Sequence, residues 1–285
     1  MDDAPTLAYL NRIIQGDCMK ELVALGDESI DLTLFSPPYD GIRDYKKNWS
    51  FDVVELGAQL YRVTKNGGVV VAVVGDGTRQ FAKSLSSFRM AVSWVDTIGW
   101  KLFECVIYHR DGNPGAWWKQ RFRVDHEYVL IFFKGARPKT FQSDHMRVAC
   151  KHAGKRYTKT NRMTNGGLMR IDPQIVRPSK CRGTVWRYAS SNAEGNRIKL
   201  QHPATFPDKL AEDIILCFSQ PGEVVLDPMC GSGTTCVVAQ NLNRSFIGIE
   251  ISPEYCAIAE RRLVREYRGA EQTALFPPDM AVDPL

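Results

Sequence analysis

The chain has 285 residues, of which 44% are hydrophobic and 24% are charged, and its formal net charge is +5. This composition is ordinary for a globular protein, and the length allows a full α/β core. No apolar run approaches the roughly 20 residues that cross a bilayer, and the first residues do not form a signal peptide, so no membrane partner is expected.

The cysteines indicate the compartment. Eight cysteines are scattered through the chain without CxxC pairing, which is typical of free thiols in a reducing environment. Four side chains have the chemistry of zinc ligands but lack the paired spacing of a zinc site: His145, Cys150, His152 and Cys181. We therefore expect a cytoplasmic protein that holds no metal.

The first predicted strand, residues 11–16, ends beside Asp17 and Cys18, and a helix is expected over 20–25. An acid at the carboxyl end of a strand can accept hydrogen bonds from a ligand's hydroxyl or amine. The same residue type is at least as common as the N-cap of a helix. The sequence leaves both interpretations of Asp17 open.

The second predicted strand delivers the tetrapeptide Ser-Pro-Pro-Tyr, residues 36–39, to its carboxyl end, where ligands of open parallel sheets bind. Pro37 and Pro38 have no backbone N–H, so the corner is stiff and offers acceptors only. A ring amine could donate to Ser36 Oγ and the Pro37 carbonyl while the ring stacks on Tyr39. Taken alone, the tetrapeptide is equally compatible with a turn beside a packed tyrosine.

Regular elements are predicted through most of the remaining chain. They are helices over 51–63, 87–99, 208–218, 236–242 and 255–266, and strands over 69–74, 100–109, 126–134, 224–227 and 246–250. A polar segment over 40–47 could close over a substrate. The connector before residue 126 contains Trp117, Trp118, Arg121, Phe122 and Arg123. Such a loop indicates either core packing or a nucleic-acid contact.

The positive charge is concentrated in one segment. Residues 134–199 hold 16 lysines and arginines against three acidic residues, a local net charge of +13, whereas the rest of the chain carries −8. Apolar periodicity also fails between 135 and 201. We interpret 135–201 as an insert of little regular structure that holds a polyanion, with a solvated loop as the alternative.

A glycine turn follows the strand over 224–227, which ends in Asp227. Glycines let the backbone approach a ligand closely, and the N-terminus of the following helix offers free N–H groups. The strand over 246–250 ends in Glu250, which is placed to accept from two ribose hydroxyls. No lysine follows the glycines, so the expected ligand is a nucleoside without a triphosphate.

Together these motifs resemble the DNA amino-methyltransferases that use S-adenosylmethionine (SAM). The resemblance covers most of the chain outside the basic insert and rests on residues 16–17, 36–39, 202–207, 227–234 and Glu250. It implies a Rossmann-like α/β fold, a mixed sheet with helices on both faces, and SAM as cofactor. The implied catalytic residues are Ser36, Pro37, Pro38 and Tyr39. The implied SAM contacts are Asp17, Cys18, Phe35, Phe206, Asp227, Pro228, Cys230, Gly231, Ser232, Gly233, Thr234 and Glu250.

The order of the motifs is that of the family's circularly permuted beta group, because the catalytic motif precedes the insert and the SAM motif comes last. This order predicts a catalytic half over 1–134, a target-recognition insert over 135–201, a SAM-binding half over 202–268 and a loose tail over 269–285. Six residues are predicted to contact DNA: Arg43, Arg121, Arg123, Lys155, Arg156 and Arg182.

The resemblance implies methylation of the exocyclic N4 amine of a cytosine that is flipped out of double-stranded DNA. Serine at the first position of the tetrapeptide is typical of N4-cytosine enzymes, whereas Asp or Asn is typical of N6-adenine enzymes. N6-adenine methylation is the first alternative, and a non-catalytic subunit that binds SAM and DNA is the alternative of another class. The further partners that the family suggests are a second copy of the chain and the cognate endonuclease of a restriction-modification system, in the nucleoid.

Overall fold

The computed structural model of the protein describes residues 4–38, 52–111, 122, 124–189 and 205–267. Its strands are β1 Arg12–Gln15, β2 Ile30–Phe35, β3 Thr64–Val74, β4 Thr78–Arg79, β5 Ala82–Lys83, β6 Lys101–Asp111, β7 His126–Phe133, β8 Val148–Ala149, β9 Arg156–Arg162, β10 Leu168–Ile175, β11 Ser179–Lys180, β12 Val185–Ala189, β13 Val224–Asp227 and β14 Ser245–Glu250. Its α-helices are α1 Ala4–Leu7, α2 Cys18–Ala24, α3 Val53–Val63, α4 Ser86–Ser93, α5 Asp208–Phe218, α6 Thr234–Asn241 and α7 Pro253–Arg265. A π-helical turn covers Trp94–Ile98 and a 3-10 turn covers Asp144–Met146. None of the described helices is long and apolar enough to cross a membrane.

Among the described residues, eight strands form one mixed sheet in the order β1-β14-β13-β2-β3-β7-β6-β12. The five strands from β1 to β3 run parallel, β7 is antiparallel to both of its neighbours, and β12 is parallel to β6. The predicted mixed α/β fold is confirmed.

The β-branched run in β3 explains why the centre of the sheet is covered on both faces. Val70, Ala72 and Val74 belong to a core cluster that also contains residues of α2, α3 and α4. Val69, Val71 and Val73 are equally buried, and alternate residues of a strand point to opposite faces. On the other side of the sheet α5 contacts β2, and α6 contacts β13 and β14.

The helix predicted over 87–99 is divided into α4 and the π-helical turn, which ends at Gly99 with φ 97°. Trp94 in this turn stacks on Trp100, with ring centroids 6.0 Å apart. Both indoles are buried, and each donates to a backbone carbonyl of α3, at Val53 (2.8 Å) and Gly57 (3.0 Å). Buried tryptophans need such partners for their N–H groups.

Residues 143–183 form a compact unit of their own. This unit is narrower than the insert predicted over 135–201, and it contains two antiparallel pairs, β9 with β10 and β8 with β11. The strand β12, also inside the predicted insert, pairs with β6 in the main sheet. The structure therefore corrects the expectation of little regular structure over 135–201. The strands escape detection because β9 and β10 have no buried face and β12 has only five residues.

Candidate active site

Two neighbouring strands of the sheet send the chain in opposite directions from their carboxyl ends. From β13 the chain continues through α6 to β14, and from β2 it continues through α3 to β3 on the other side. A ligand crevice forms where the connections of an open sheet part in this way. The acceptor corner at residues 36–38 follows β2, and the glycine turn follows β13. The Thr235 hydroxyl donates to the Leu34 carbonyl at 3.1 Å, which ties α6 to the end of β2.

The turn after β13 needs glycine because its backbone is left-handed at two positions. Gly231 has φ 52° and Gly233 has φ 77°, a conformation that costs energy in a residue with a Cβ. The Gly233 N–H donates to the Cys230 carbonyl at 2.7 Å and closes the turn. A Cβ on Gly233 would lie 2.8 Å from Cβ of Ala259 in α7. Bare backbone therefore forms this turn, at the start of α6.

Glu250 joins three strand ends at the crevice. Its Oε2 accepts the N–H of Gly231 and its Oε1 accepts the N–H of Ser252, each at 2.9 Å. Its carbonyl accepts the N–H of Gly16 at 2.9 Å, which fastens the end of β1 to the same residue. Burial raises the pKa of Glu250, and the backbone N–H groups oppose that shift. Each carboxylate oxygen has a second lone pair, so the side chain can accept two further hydrogen bonds.

The structure places Asp17 as the N-cap of α2, where its Oδ1 accepts the N–H of Met19 at 3.0 Å. The N-cap interpretation is thereby confirmed, and the bond uses one of the two carboxylate oxygens. The neighbouring Cys18 is half-buried, and burial together with the charge of Asp17 raises the pKa of its thiol to about 12. Cys18 therefore stays protonated at neutral pH and is a poor nucleophile.

Asp227, at the end of β13, is a buried carboxyl group with a raised pKa. It is 2% exposed, and burial raises its pKa to about 7, although the N–H of Met229, at 3.1 Å, stabilises the charged form. The single hydroxyl proton of Thr235 goes to the Leu34 carbonyl. The same hydroxyl oxygen can then accept the proton of a neutral Asp227. The protonated Asp227 can therefore donate to the Thr235 hydroxyl, which in turn donates to the Leu34 carbonyl, and these two hydrogen bonds stabilise the neutral carboxyl group.

Arg262, to which no motif in the sequence points, is a fully buried cation behind the glycine turn. Its guanidinium donates to the Ser232 carbonyl at 2.9 Å and to the Thr234 hydroxyl at 3.1 Å. It also reaches Glu266 at 2.9 and 3.0 Å and Asp208 at 3.4 Å. One side chain thus fixes the turn against the starts of α5 and α6. A signal was available, because Arg262 falls on the apolar stripe of α7, where an arginine needs several partners.

The acceptor corner is only partly accessible. Pro37 is buried, and Ser36 and Pro38 are half-buried. Tyr39 lies outside the described residues. Phe35 is fully buried in the core cluster. It therefore packs in the core next to the acceptor corner and presents no exposed surface to a ligand.

The remaining predicted contacts fall in different places. Phe206 is buried just before α5, two residues from Asp208, while residues 202–204 lie outside the described part of the chain. Lys155 and Arg156 are exposed and Arg182 is half-buried, all in the unit 143–183. Arg43, Arg121 and Arg123 also lie outside the described residues.

No group of three His, Cys, Asp or Glu side chains is arranged to hold a metal within the ranges that the structure describes. The four zinc-type side chains noted in the sequence, all described, are therefore not gathered into one site. All eight cysteines are free thiols.

Comparison with known proteins identifies relatives of the whole chain. The family model described as DNA methylase matches residues 30–261. The orphan methyltransferase M.BamHII of Bacillus amyloliquefaciens is 43% identical over 249 residues, which cover 86% of this chain and 92% of the relative. The DNA adenine methyltransferase YhdJ of Escherichia coli (strain K12) is 31% identical over 282 residues, which cover 92% and 86% respectively.

Solved structures share the fold at lower sequence identity. The PvuII DNA methyltransferase (cytosine-N4-specific) aligns with a TM-score of 0.65 and 22% identity, over 90% of both chains. TTHA0409 of Thermus thermophilus, complexed with S-adenosyl-L-methionine, aligns with a TM-score of 0.61 and 22% identity, over 90% of this chain and 95% of that one. Both likenesses concern the fold, which is the one expected from the sequence.

Proposed function

Because the chain belongs to the DNA methylase family, we propose that it transfers the methyl group of SAM to the exocyclic N4 amine of a cytosine in double-stranded DNA. One observation carries the proposal. The acceptor corner and the glycine turn follow neighbouring strands, β2 and β13, and lie at one crevice. Neighbouring strands are about 4.8 Å apart, so a base at the corner and a methyl donor at the turn would be adjacent.

The residues around the glycine turn fit a nucleoside-type methyl donor. Glu250 retains two lone pairs that suit the adjacent hydroxyls of a ribose. Gly231 keeps the backbone bare where a ligand would approach, and Gly233 lets the turn pack closely against α7. When bound, SAM supplies a sulfonium methyl group that an amine lone pair can displace.

The role we assign to the corner is to reshape the target amine. An amine conjugated to its ring is a poor nucleophile because its lone pair is delocalised. Acceptors at Ser36 Oγ and the Pro37 carbonyl favour a pyramidal nitrogen, whose lone pair leaves the plane of the ring. Neither proline has an N–H that could occupy these acceptors. The amine attacks the methyl group directly: the N–C bond forms as the C–S bond breaks and leaves a neutral thioether, the nitrogen then releases one proton to water, and no bond to the protein forms.

The base has to leave the duplex to reach the crevice, which costs a few kcal/mol. We propose that Tyr39 stacks on the flipped base and offsets part of that cost. Positive charge for the DNA backbone is available in the unit 143–183, which has ten lysines and arginines against two aspartates. Binding that rests on such charges weakens steeply with salt.

Cytosine is the preferred target because serine stands at the first position of the tetrapeptide, as the resemblance to N4-cytosine enzymes implies. N6-adenine methylation is the second candidate. It is favoured by the 31% identity to the adenine methyltransferase YhdJ, which extends over 92% of this chain.

Mass spectrometry of nucleosides tests the proposal. Plasmid DNA from a host without methyltransferases is incubated with the purified protein and SAM that carries a deuterated methyl group. Label in N4-methylcytosine is the expected result, and label in N6-methyladenine would select the second candidate. Protein that binds SAM in calorimetry but labels neither base would overturn both and leave a binding subunit.

Two further associations belong to the proposal. A second copy of the chain is tested by sedimentation equilibrium with and without DNA. A cognate restriction endonuclease is tested with an endonuclease that cuts the methylated motif: it should cut unmethylated DNA and fail to cut DNA methylated by this protein.

A further inference from the structure

The unit 143–183 contains a two-stranded ribbon, formed by β9 and β10. The strands are antiparallel, with Arg162 opposite Leu168 at the turn end and Arg156 opposite Ile175 at the far end. The turn is closed by the bonds Met163 N–H to Gly167 O, 2.7 Å, and Gly166 N–H to Met163 O, 2.9 Å. The ribbon therefore has a defined register and a tight tip.

The register divides the side chains between two faces, because residues opposite each other in a ladder point to the same side. The bulge between Ile171 and Gln174 adds one residue to β10 and keeps Ile175 opposite Arg156. We call one side the arginine face, and it comprises Arg156, Thr160, Arg162, Leu168, Arg170 and Ile175. The opposite face carries Tyr157, Lys159, Asn161, Met169 and Gln174.

Neither face of the ribbon is covered by the other residues of the unit 143–183. Every described side chain of β9 and β10 is exposed except Asn161, which is half-buried. Leu168 is 71% exposed and Ile175 is 64% exposed, both on the arginine face. A two-stranded ribbon is only marginally stable in water and normally packs against something. These exposed apolar side chains indicate a contact that the described residues of the unit 143–183 do not supply.

Charge identifies the partner. Arg156, Arg162 and Arg170 share one face, and none of them forms an ion pair with a carboxylate that the structure describes. The only acid in either strand is Asp172. Unpaired guanidinium groups on one side of an exposed ribbon complement a polyanion, and a second copy of this net-positive unit would repel them.

The size of the ribbon selects the groove. A two-stranded ribbon fits the major groove of B-DNA, which is about 12 Å wide. Arg156 and Arg162 are separated by six residues in β9, or about 20 Å, which corresponds to about six base-pair steps. Arginine can donate two bonds to guanine O6 and N7, and apolar side chains such as Leu168 can contact thymine methyl groups.

Resting on the proposed function, we propose that the arginine face of the ribbon lies in the major groove of the target DNA and reads its bases. Arg162 and Arg170 near the tip contact base edges, and Arg156 at the far end contacts the backbone. The opposite face, with Lys159, points away from the bases.

Substitutions of exposed residues on the two faces of the ribbon test this assignment. The variants are Arg162→Gln, Arg170→Gln and, as the matched control that removes the same charge from the opposite face, Lys159→Gln. Single-molecule sequencing of plasmid DNA from cells expressing each protein gives the methylated motif. Fluorescence anisotropy then measures affinity for a duplex carrying the wild-type motif and for a scrambled duplex.

The arginine variants should lose about tenfold or more in affinity for the motif duplex and accept other bases at one motif position. Lys159→Gln should keep the wild-type motif, and its affinity should fall by a similar small factor for the motif duplex and for the scrambled duplex. Equal effects of all three substitutions, or an unchanged motif in both arginine variants, would overturn the inference. If the wild type proves to be a dimer, arginine variants that become monomeric without a change of motif would also overturn the inference.

The readouts separate this inference from the proposed function. Methylation of DNA by the wild type establishes the function whatever the arginine variants do. Calorimetric SAM affinity should be equal in all four proteins, because the substitutions lie outside the glycine turn.

Discussion

Replacing Gly233 by alanine should strain the protein in two ways that can be measured separately. Gly233 has φ 77°, and a Cβ at this position would lie 2.8 Å from Cβ of Ala259. A left-handed conformation costs an L-residue about 1–2 kcal/mol. Forcing an extra methyl group into a packed site costs about 1–3 kcal/mol. The two costs add to about 2–5 kcal/mol of lost stability.

Two further variants isolate each cost. Gly222 has φ 83°, and a Cβ added there would meet nothing within 4 Å, so Gly222→Ala reports the backbone cost alone, about 1–2 kcal/mol. Ala259→Gly removes the methyl group that Gly233→Ala would meet, although glycine in a helix itself costs about 1 kcal/mol. In the Ala259→Gly background, Gly233→Ala should therefore cost less than it does in the wild type, but still somewhat more than Gly222→Ala, because Cα of residue 259 remains 3.2 Å from the added Cβ.

Urea denaturation measures the free energy of unfolding, and calorimetry measures SAM affinity. Gly233→Ala should weaken SAM binding because α7 and the turn must move apart, whereas Gly222→Ala should not. Equal destabilisation by Gly233→Ala and Gly222→Ala would contradict a clash with α7. An undiminished cost of Gly233→Ala in the Ala259→Gly background would contradict it as well.

The other predictions concern the protonation of Asp227, the packing of Arg262 behind the glycine turn, and the separate roles of Ser36 in methyl transfer and Gly231 in SAM binding. The pKa of Asp227 is raised from 3.8 to about 7, so the folded state keeps a proton that the unfolded state loses, and stability falls as pH rises from about 4 to 7. Asp227→Asn should remove this loss, so the free energy of unfolding of the variant should rise relative to wild type by about 1.4 kcal/mol per pH unit between pH 4 and 7. The same pH dependence of the free energy of unfolding in both proteins, measured in urea, would contradict this. Arg262→Met should cost about 3 kcal/mol because it leaves the buried Ser232 carbonyl and the half-buried carboxylates of Asp208 and Glu266 without this partner. The exposed neighbour Arg261→Met should cost less than about 0.5 kcal/mol by the same urea denaturation. Ser36→Ala should slow methyl transfer about 100-fold or more with SAM affinity nearly intact, and Gly231→Val should instead abolish SAM binding; the division of roles is wrong if calorimetry shows the reverse.

Local signals in the sequence were sufficient to predict the parts of the site that are formed by the backbone of strands and turns. The strands before Asp227 and Glu250 follow from β-branched runs, and the glycine turn follows from residue type alone. The helix predicted over 208–218 matches α5 at both ends. These elements are fixed by period and by turn chemistry, which need no knowledge of the neighbours.

The parts that were missed depend on contacts distant in the chain. β12 buries only Trp186 and Tyr188, and it becomes a strand by pairing with β6, with the Tyr188 hydroxyl donating to Asp213 at 2.7 Å. Arg262 is indistinguishable from Arg261 by residue type, and only its position on the buried stripe of α7 separates them. Pairing and ion networks of this kind are decided by the tertiary structure.

The position of β13 has a consequence for biosynthesis. β1 and β2 are among the first strands that the ribosome makes, but β13 and β14, which lie between them in the sheet, are made last among the described strands. A nascent chain that stops before residue 224 carries the acceptor corner without β13, β14 and the glycine turn, where we propose that the methyl donor binds. Sheets closed by such distant segments assemble slowly and only once the chain is nearly complete. Translation therefore has to pass β14 before the sheet can close, and the proposed function predicts that prematurely terminated products are inert.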